Sequence, residues 1–151
     1  MSFAVLFICS CSKDGDSLFG GTATLTGGTW DTTSLIITSC SDDNHTVNVE
    51  EEECIIDSYD RLICYQEVTY SFHEDGILAL KVRGTLNSYP IDNTYTLEYE
   101  VNGNSITICD DNNDCSSGGF NISGKTLSLS YTDEFKLLTY NGCDLNIEAV
   151  K

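Results

Sequence analysis

Along the second half of the chain apolar and polar side chains alternate almost one by one, the period of a strand with one buried face. In YTLEYEV, Tyr95, Leu97, Tyr99 and Val101 fall on one side, and Thr96, Glu98 and Glu100 on the other. VTYSF repeats the pattern through Val68, Tyr70 and Phe72, ILALKV through Leu78, Leu80 and Val82, and TLSLSY through Leu127, Leu129 and Tyr131. Turn chemistry separates the runs: HEDG ends at Gly76, VNGN carries Gly103, SGK carries Gly124, TDE carries Asp133 and NGCD carries Gly142. Asn-Gly and Asp-Gly suit tight hairpins because they accept positive φ. Strands are predicted near 29–38, 45–50, 66–73, 77–84, 94–101, 104–109, 119–123, 126–131, 135–140 and 144–149. Only residues 50–62 leave room for a short turn of helix.

Strands of this length joined by tight turns make an antiparallel up-and-down meander, and closing it into a barrel removes its exposed edges. The predicted fold is therefore all-β, a meander of about 8–10 strands closed into a barrel, wide enough for side chains plus at most one small ligand. The positions expected to line its interior are Tyr70, Phe72, Leu80, Tyr95, Leu97, Tyr99, Leu127 and Leu129. Tyrosine hydroxyls among aliphatic carbons suit an amphipathic guest better than a hydrocarbon one. The same side chains are also able to fill the barrel by themselves.

Length and charge narrow the picture. A chain of 151 residues supports one domain with a real core. Twenty-four acidic residues against seven basic ones give a net charge of −17, which repels nucleic acid over the whole surface. No window of about twenty apolar residues is present to span a membrane as a helix. The protein is expected to be a monomer.

The first residues read differently from the rest. Phe3 to Ile8 is a continuous apolar run, and it turns abruptly polar after Cys9, Ser10 and Cys11. It reads as a short h-region of a signal peptide, whose basic n-region is expected upstream of Met1. Ile8 three places before Cys11, with Ser10 directly before it, resembles the lipobox of bacterial lipoproteins. The resemblance implies cleavage before Cys11 and acylation of its thiol. Cys9 is the alternative, behind a poorer cleavage site. SKDGD after Cys11 resembles the signal that sends lipoproteins of the Bacteroidetes group to the cell surface. The resemblance thus implies a signal peptide over residues 1–10, a lipidated tether over 11–21 and the barrel domain over 22–151. The expected location is the bacterial outer membrane, anchored through lipid on Cys11 and exposed at the cell surface.

With Cys9 in the leader and Cys11 acylated, six cysteines remain: Cys40, Cys54, Cys64, Cys109, Cys115 and Cys143. In an exported protein an even set reads as disulfides. Cys109 with Cys115 and Cys54 with Cys64 would close short loops, which leaves Cys40 for Cys143. No CxxC spacing is present, and His45 and His73 belong to no cysteine cluster, so no metal site is expected.

LTGGTWDTTSLII contains Gly28, Thr29 and Trp30 as a GxW at the head of the first long strand, which resembles the opening signature of lipocalins. The order GTWDTTSL, VTYSFHEDGILAL, YEVNGNSITI and NGCDLNIEAV resembles the lipocalin-like domain of Bacteroidetes lipoproteins over residues 26–150. The resemblance implies a cup able to hold an apolar molecule. It also implies a basic side chain stacked on Trp30, for which Lys136 or Lys151 is available. Independently, Trp30 is large enough to plug the closed end, and Gly28 lets the backbone bend as it enters the barrel.

Catalytic chemistry finds little support. Asp110, Asn112 and Asp114 are spaced like the first ligands of a calcium loop, but Cys115 stands where glycine is required and the twelfth position lacks Glu. Glu50 to Glu53 reads as a solvated turn or strand end. There is no GxSxG and no glycine-rich phosphate loop. The expected protein is a non-enzyme without cofactor that binds a small apolar or amphipathic molecule. The alternative is a surface module with a filled core, binding a protein or glycan through its acidic loops.

Overall fold

A computed structural model describes residues 25–39, 45–56, 60–138 and 142–151. The predicted leader, Cys11, its tether and Cys40 lie outside the described residues. Ten strands follow one another: β1 (Thr29–Thr38), β2 (His45–Asn48), β3 (Cys54–Ile56), β4 (Leu62–Phe72), β5 (Ile77–Leu86), β6 (Tyr89–Asn102), β7 (Ser105–Cys109), β8 (Cys115–Ser123), β9 (Thr126–Thr132) and β10 (Asp144–Val150). Strands β4 to β10 pair in sequence as antiparallel neighbours, and β10 pairs with β1. Thr29, Trp30 and Asp31 of β1 then pair with Ser71, Tyr70 and Thr69 of β4, which closes an eight-stranded antiparallel barrel. The predicted all-β barrel is the fold observed.

β1 and β4 touch only over those three residues and then diverge. β2 fills the gap from one side against Ser34–Ile37 of β1, and β3 fills it from the other against Leu62–Cys64 of β4. Cys54 and Cys64 sit directly opposite each other in that ladder and are bonded, as are Cys109 and Cys115 between β7 and β8. Cys143 is also in a disulfide; the predicted partner, Cys40, is outside the described residues.

The period-two alternation places one face of each strand inside. Val68, Tyr70 and Phe72 of β4, Leu78, Leu80 and Val82 of β5, and Leu127, Leu129 and Tyr131 of β9 are all buried. A bulge at Gln66 lets β4 coil, because the register shifts between Tyr65 and Glu67. Gly84 of β5 faces that bulge, and a Cβ there would lie 2.0 Å from the Cys64 carbonyl oxygen. Only glycine permits this approach.

The structure corrects several boundaries. No strand forms over residues 135–138 of the predicted 135–140 run. The Asp133 carboxylate instead accepts the N–H groups of Leu137 and Leu138, which a ladder would have used, and Lys136 adopts φ 55°. The room left for helix at 50–62 holds a tight turn, with the Glu52 N–H bonded to the Val49 carbonyl, and then β3. β4, β6 and β8 each begin earlier than predicted. Cross-strand pairing of Cys64 with Cys54, of Tyr89–Asn93 with β5, and of Cys115 with Cys109 extends strands where the alternation has lapsed.

Candidate functional site

The barrel has two unlike ends. At one, β1 begins and the β4–β5, β6–β7 and β8–β9 turns gather; Trp30 lies there, 1% exposed. Its Nε1 donates to the Leu25 carbonyl at 2.9 Å. Lys151 Nζ stands 5.0 Å from the ring centroid and donates to the Thr26 carbonyl at 2.9 Å. The basic partner of Trp30 is therefore Lys151, from just beyond β10; Lys136 is on the β9–β10 loop at the other end. Gly28 leaves room for this lysine: a Cβ there would meet Lys151 Cε at 2.4 Å, so the side chain would have to move.

The opposite end is covered by the β9–β10 loop. Asp133 is fully buried and holds this loop, its Oδ1 accepting from the Leu137 N–H at 3.0 Å and its Oδ2 from the Leu138 N–H at 2.9 Å. Leu138 is buried under it, and its carbonyl accepts the Tyr65 hydroxyl proton. Deeper inside, the Tyr70 and Tyr131 hydroxyls meet at 3.1 Å. Burial pushes both phenols well above their ordinary value, and the charge of Asp133 raises them further. These groups are hydrogen-bonding partners, not acids or bases near neutral pH.

Tyr70, Phe72, Leu80, Leu97, Leu127 and Leu129 are buried in one continuous core, with Tyr95 and Tyr99 half-buried against it. Phe72 stacks on Tyr70 with centroids 6.3 Å apart and meets the Tyr99 ring edge-on at 5.1 Å. The Tyr99 hydroxyl donates to the His73 carbonyl at 2.7 Å; partial burial raises its phenol, followed by Asp75 and Glu74.

Tyr95 and Leu97 are distinguished from the other lining positions by what lies beside them. β6 runs for 14 residues, β7 for 5, and their ladder stops at Glu98 opposite Cys109. Beyond that point the wall between β6 and β7 is open. The opening is a slot of about 530 Å³. Ile77 and Thr94 to Glu98 form one side, Asp110 and Asp111 of the β7–β8 tip the other, and Phe135 and Leu137 of the cover loop the back. This is within the usual size of a small-molecule pocket, about 300–1,000 Å³. The signals for it in the sequence are the polar stretch before Tyr95 and the cysteine pair that ends β7.

The calcium-like tip uses its acidic groups internally. Asp110 Oδ1 accepts the N–H groups of Asn112 and Asp114, each at 2.9 Å. Partial desolvation opposes ionisation, but these bonds and that from the Asn112 side chain outweigh it and hold the carboxyl below its ordinary value. Among the described residues no three His, Cys, Asp or Glu side chains are placed to hold a metal ion. The acidic run Glu50 to Glu53 forms the β2–β3 turn. There Asn48 Oδ1 accepts the Glu50 and Glu51 N–H groups, and Glu53 Oε2 accepts that of Asn48 at 2.7 Å. Among the described residues no helix is long and apolar enough to cross a membrane. Compared with known protein families, curated proteins and solved structures, the chain matches none.

Proposed function

We propose that the protein is a non-catalytic, lipocalin-like binding barrel of the bacterial outer membrane, anchored through lipid on Cys11, that takes one small apolar or amphipathic molecule. The supporting observation is the slot between β6 and the β7–β8 tip, where an apolar floor of Tyr95, Leu97, Phe135 and Leu137 lies under a polar rim. The ligand enters through the wall, since Leu138 and Asp133 close the mouth. The lipobox-like ICSC and the GxW carry the anchoring and family parts of the reading.

Native mass spectrometry of the protein purified from its own host should show one small-molecule adduct per chain, reduced in Leu97→Arg. A bare mass at every collision energy overturns the ligand reading. Radioactive palmitate should label the wild type and not Cys11→Ala; label retained in the variant removes the anchor from Cys11. The packed interior favours a second reading, a surface module that binds a protein or glycan through acidic loops such as Glu50 to Glu53. A bare mass together with a captured surface partner would select it.

A further inference from the structure

We infer that the slot is built for an amphipathic amine, with its cationic end at the rim and its apolar end on the floor. This rests on reading the slot as a small-molecule site and names the class of molecule. Among the described residues the slot is lined by three acidic ones, Glu98, Asp110 and Asp111, and by no Lys, Arg or His. Asp110 is engaged by its own turn and Asp111 Oδ1 accepts from the Asn112 side chain at 3.3 Å, which leaves Glu98 and Asp111 Oδ2 as partners for a ligand cation. The rest of the described lining is Thr94 and Thr96 with the apolar and aromatic side chains of Ile77, Tyr95, Leu97, Phe135 and Leu137.

The strand edge adds acceptors. The Tyr99 N–H bonds to the Gly76 carbonyl on the β5 side. By the alternation of an antiparallel strand, the carbonyls of Thr94 and Thr96 therefore face the other way, toward the slot. Continuing the β6–β7 register by one hydrogen-bonded pair would set Asp111 opposite Thr96, but the chain turns at Asp110 and no described strand covers this edge. An ammonium has three donors and no acceptor, so it is satisfied by two carboxylates and edge carbonyls together. A fatty acid entering the same slot would bring a third negative charge to Glu98 and Asp111.

The test compares octylamine, octanol and octanoate by calorimetric titration of the full chain at pH 7.4 and 150 mM salt, with the slot followed by NMR shifts of Tyr95, Leu97, Phe135 and Leu137. Octylammonium should bind at one saturable site, roughly tenfold or more tighter than octanol, with octanoate weakest. Glu98→Gln with Asp111→Asn should remove the preference of octylammonium over octanol. Equal binding of all three at the slot overturns the amine and keeps the small-molecule site. Multiple weak amine sites that ignore the double variant reflect the net charge alone and overturn the inference. No slot shift with any probe overturns both readings.

Discussion

Replacing Gly28 by alanine tests whether the closed end is held by Lys151 or by the backbone itself. The new Cβ would lie 2.4 Å from Lys151 Cε, so the lysine must swing away. Two interactions go with it: the contact with the Trp30 ring, and the hydrogen bond to the Thr26 carbonyl. A cation over an aromatic ring at an exposed site contributes about 0.5–1 kcal/mol. A solvent-exposed ammonium to carbonyl bond adds up to about 1 kcal/mol. Gly28→Ala should therefore cost about 0.5–2 kcal/mol. Lys151→Ala should cost the same, and the double variant no more than Lys151→Ala alone. Trp30 is the only tryptophan, so its fluorescence during urea unfolding reports every variant directly. The midpoint should fall by about 0.25–1 M with the slope unchanged. Additive costs would refute the reasoning, because the alanine would then be acting on the backbone and not through the lysine.

Three further outcomes follow from the interior and the outer wall. Asp133→Asn keeps one acceptor but turns an amide toward a backbone N–H it cannot bond; unfolding should become easier by about 2–4 kcal/mol, and hydrogen exchange at Leu137 and Leu138 should speed up. Tyr70→Phe and Tyr131→Phe each leave a buried hydroxyl alone, so each should cost about 1–2 kcal/mol and the double variant less than their sum in a double-mutant cycle. Glu67 bonds Lys81 and Arg83 at 2.8 Å each, and the Lys81 bond chiefly holds its carboxyl below the ordinary 4.5. A depressed carboxylate stabilises the fold above its ordinary value and ceases to as pH falls through the folded one. The stability gap between wild type and Glu67→Gln, under about 1 kcal/mol, should thus be full at pH 6 and close below pH 4.5 in urea titrations.

What could be read from the sequence was whatever depends on residues i and i+2. The inward positions of β4, β5 and β9 follow from that alternation, because only one phase buries Tyr70, Leu80 and Leu129. FKLLTY looked like a strand for the same local reason, yet one buried carboxylate at Asp133 captures its N–H groups and makes residues 133–138 a loop. A capture of this kind depends on burial, which local pattern does not contain. The slot was hidden for a related reason. Tyr95 and Leu97 were on the lining face from the start, but the opening beside them comes from the mismatch in length between β6 and β7. Gly84 carries no local signal, because what requires it is a carbonyl on another strand.

The meeting of Leu25 and Lys151 around Trp30 also bears on orientation. The chain enters the barrel at the same end that the tryptophan seals. An anchor on Cys11, as proposed above, would therefore pull on the sealed base. The barrel would stand on the membrane like a stoppered vessel set base down. Its cover loop and acidic tip would then be held at the end away from the lipid.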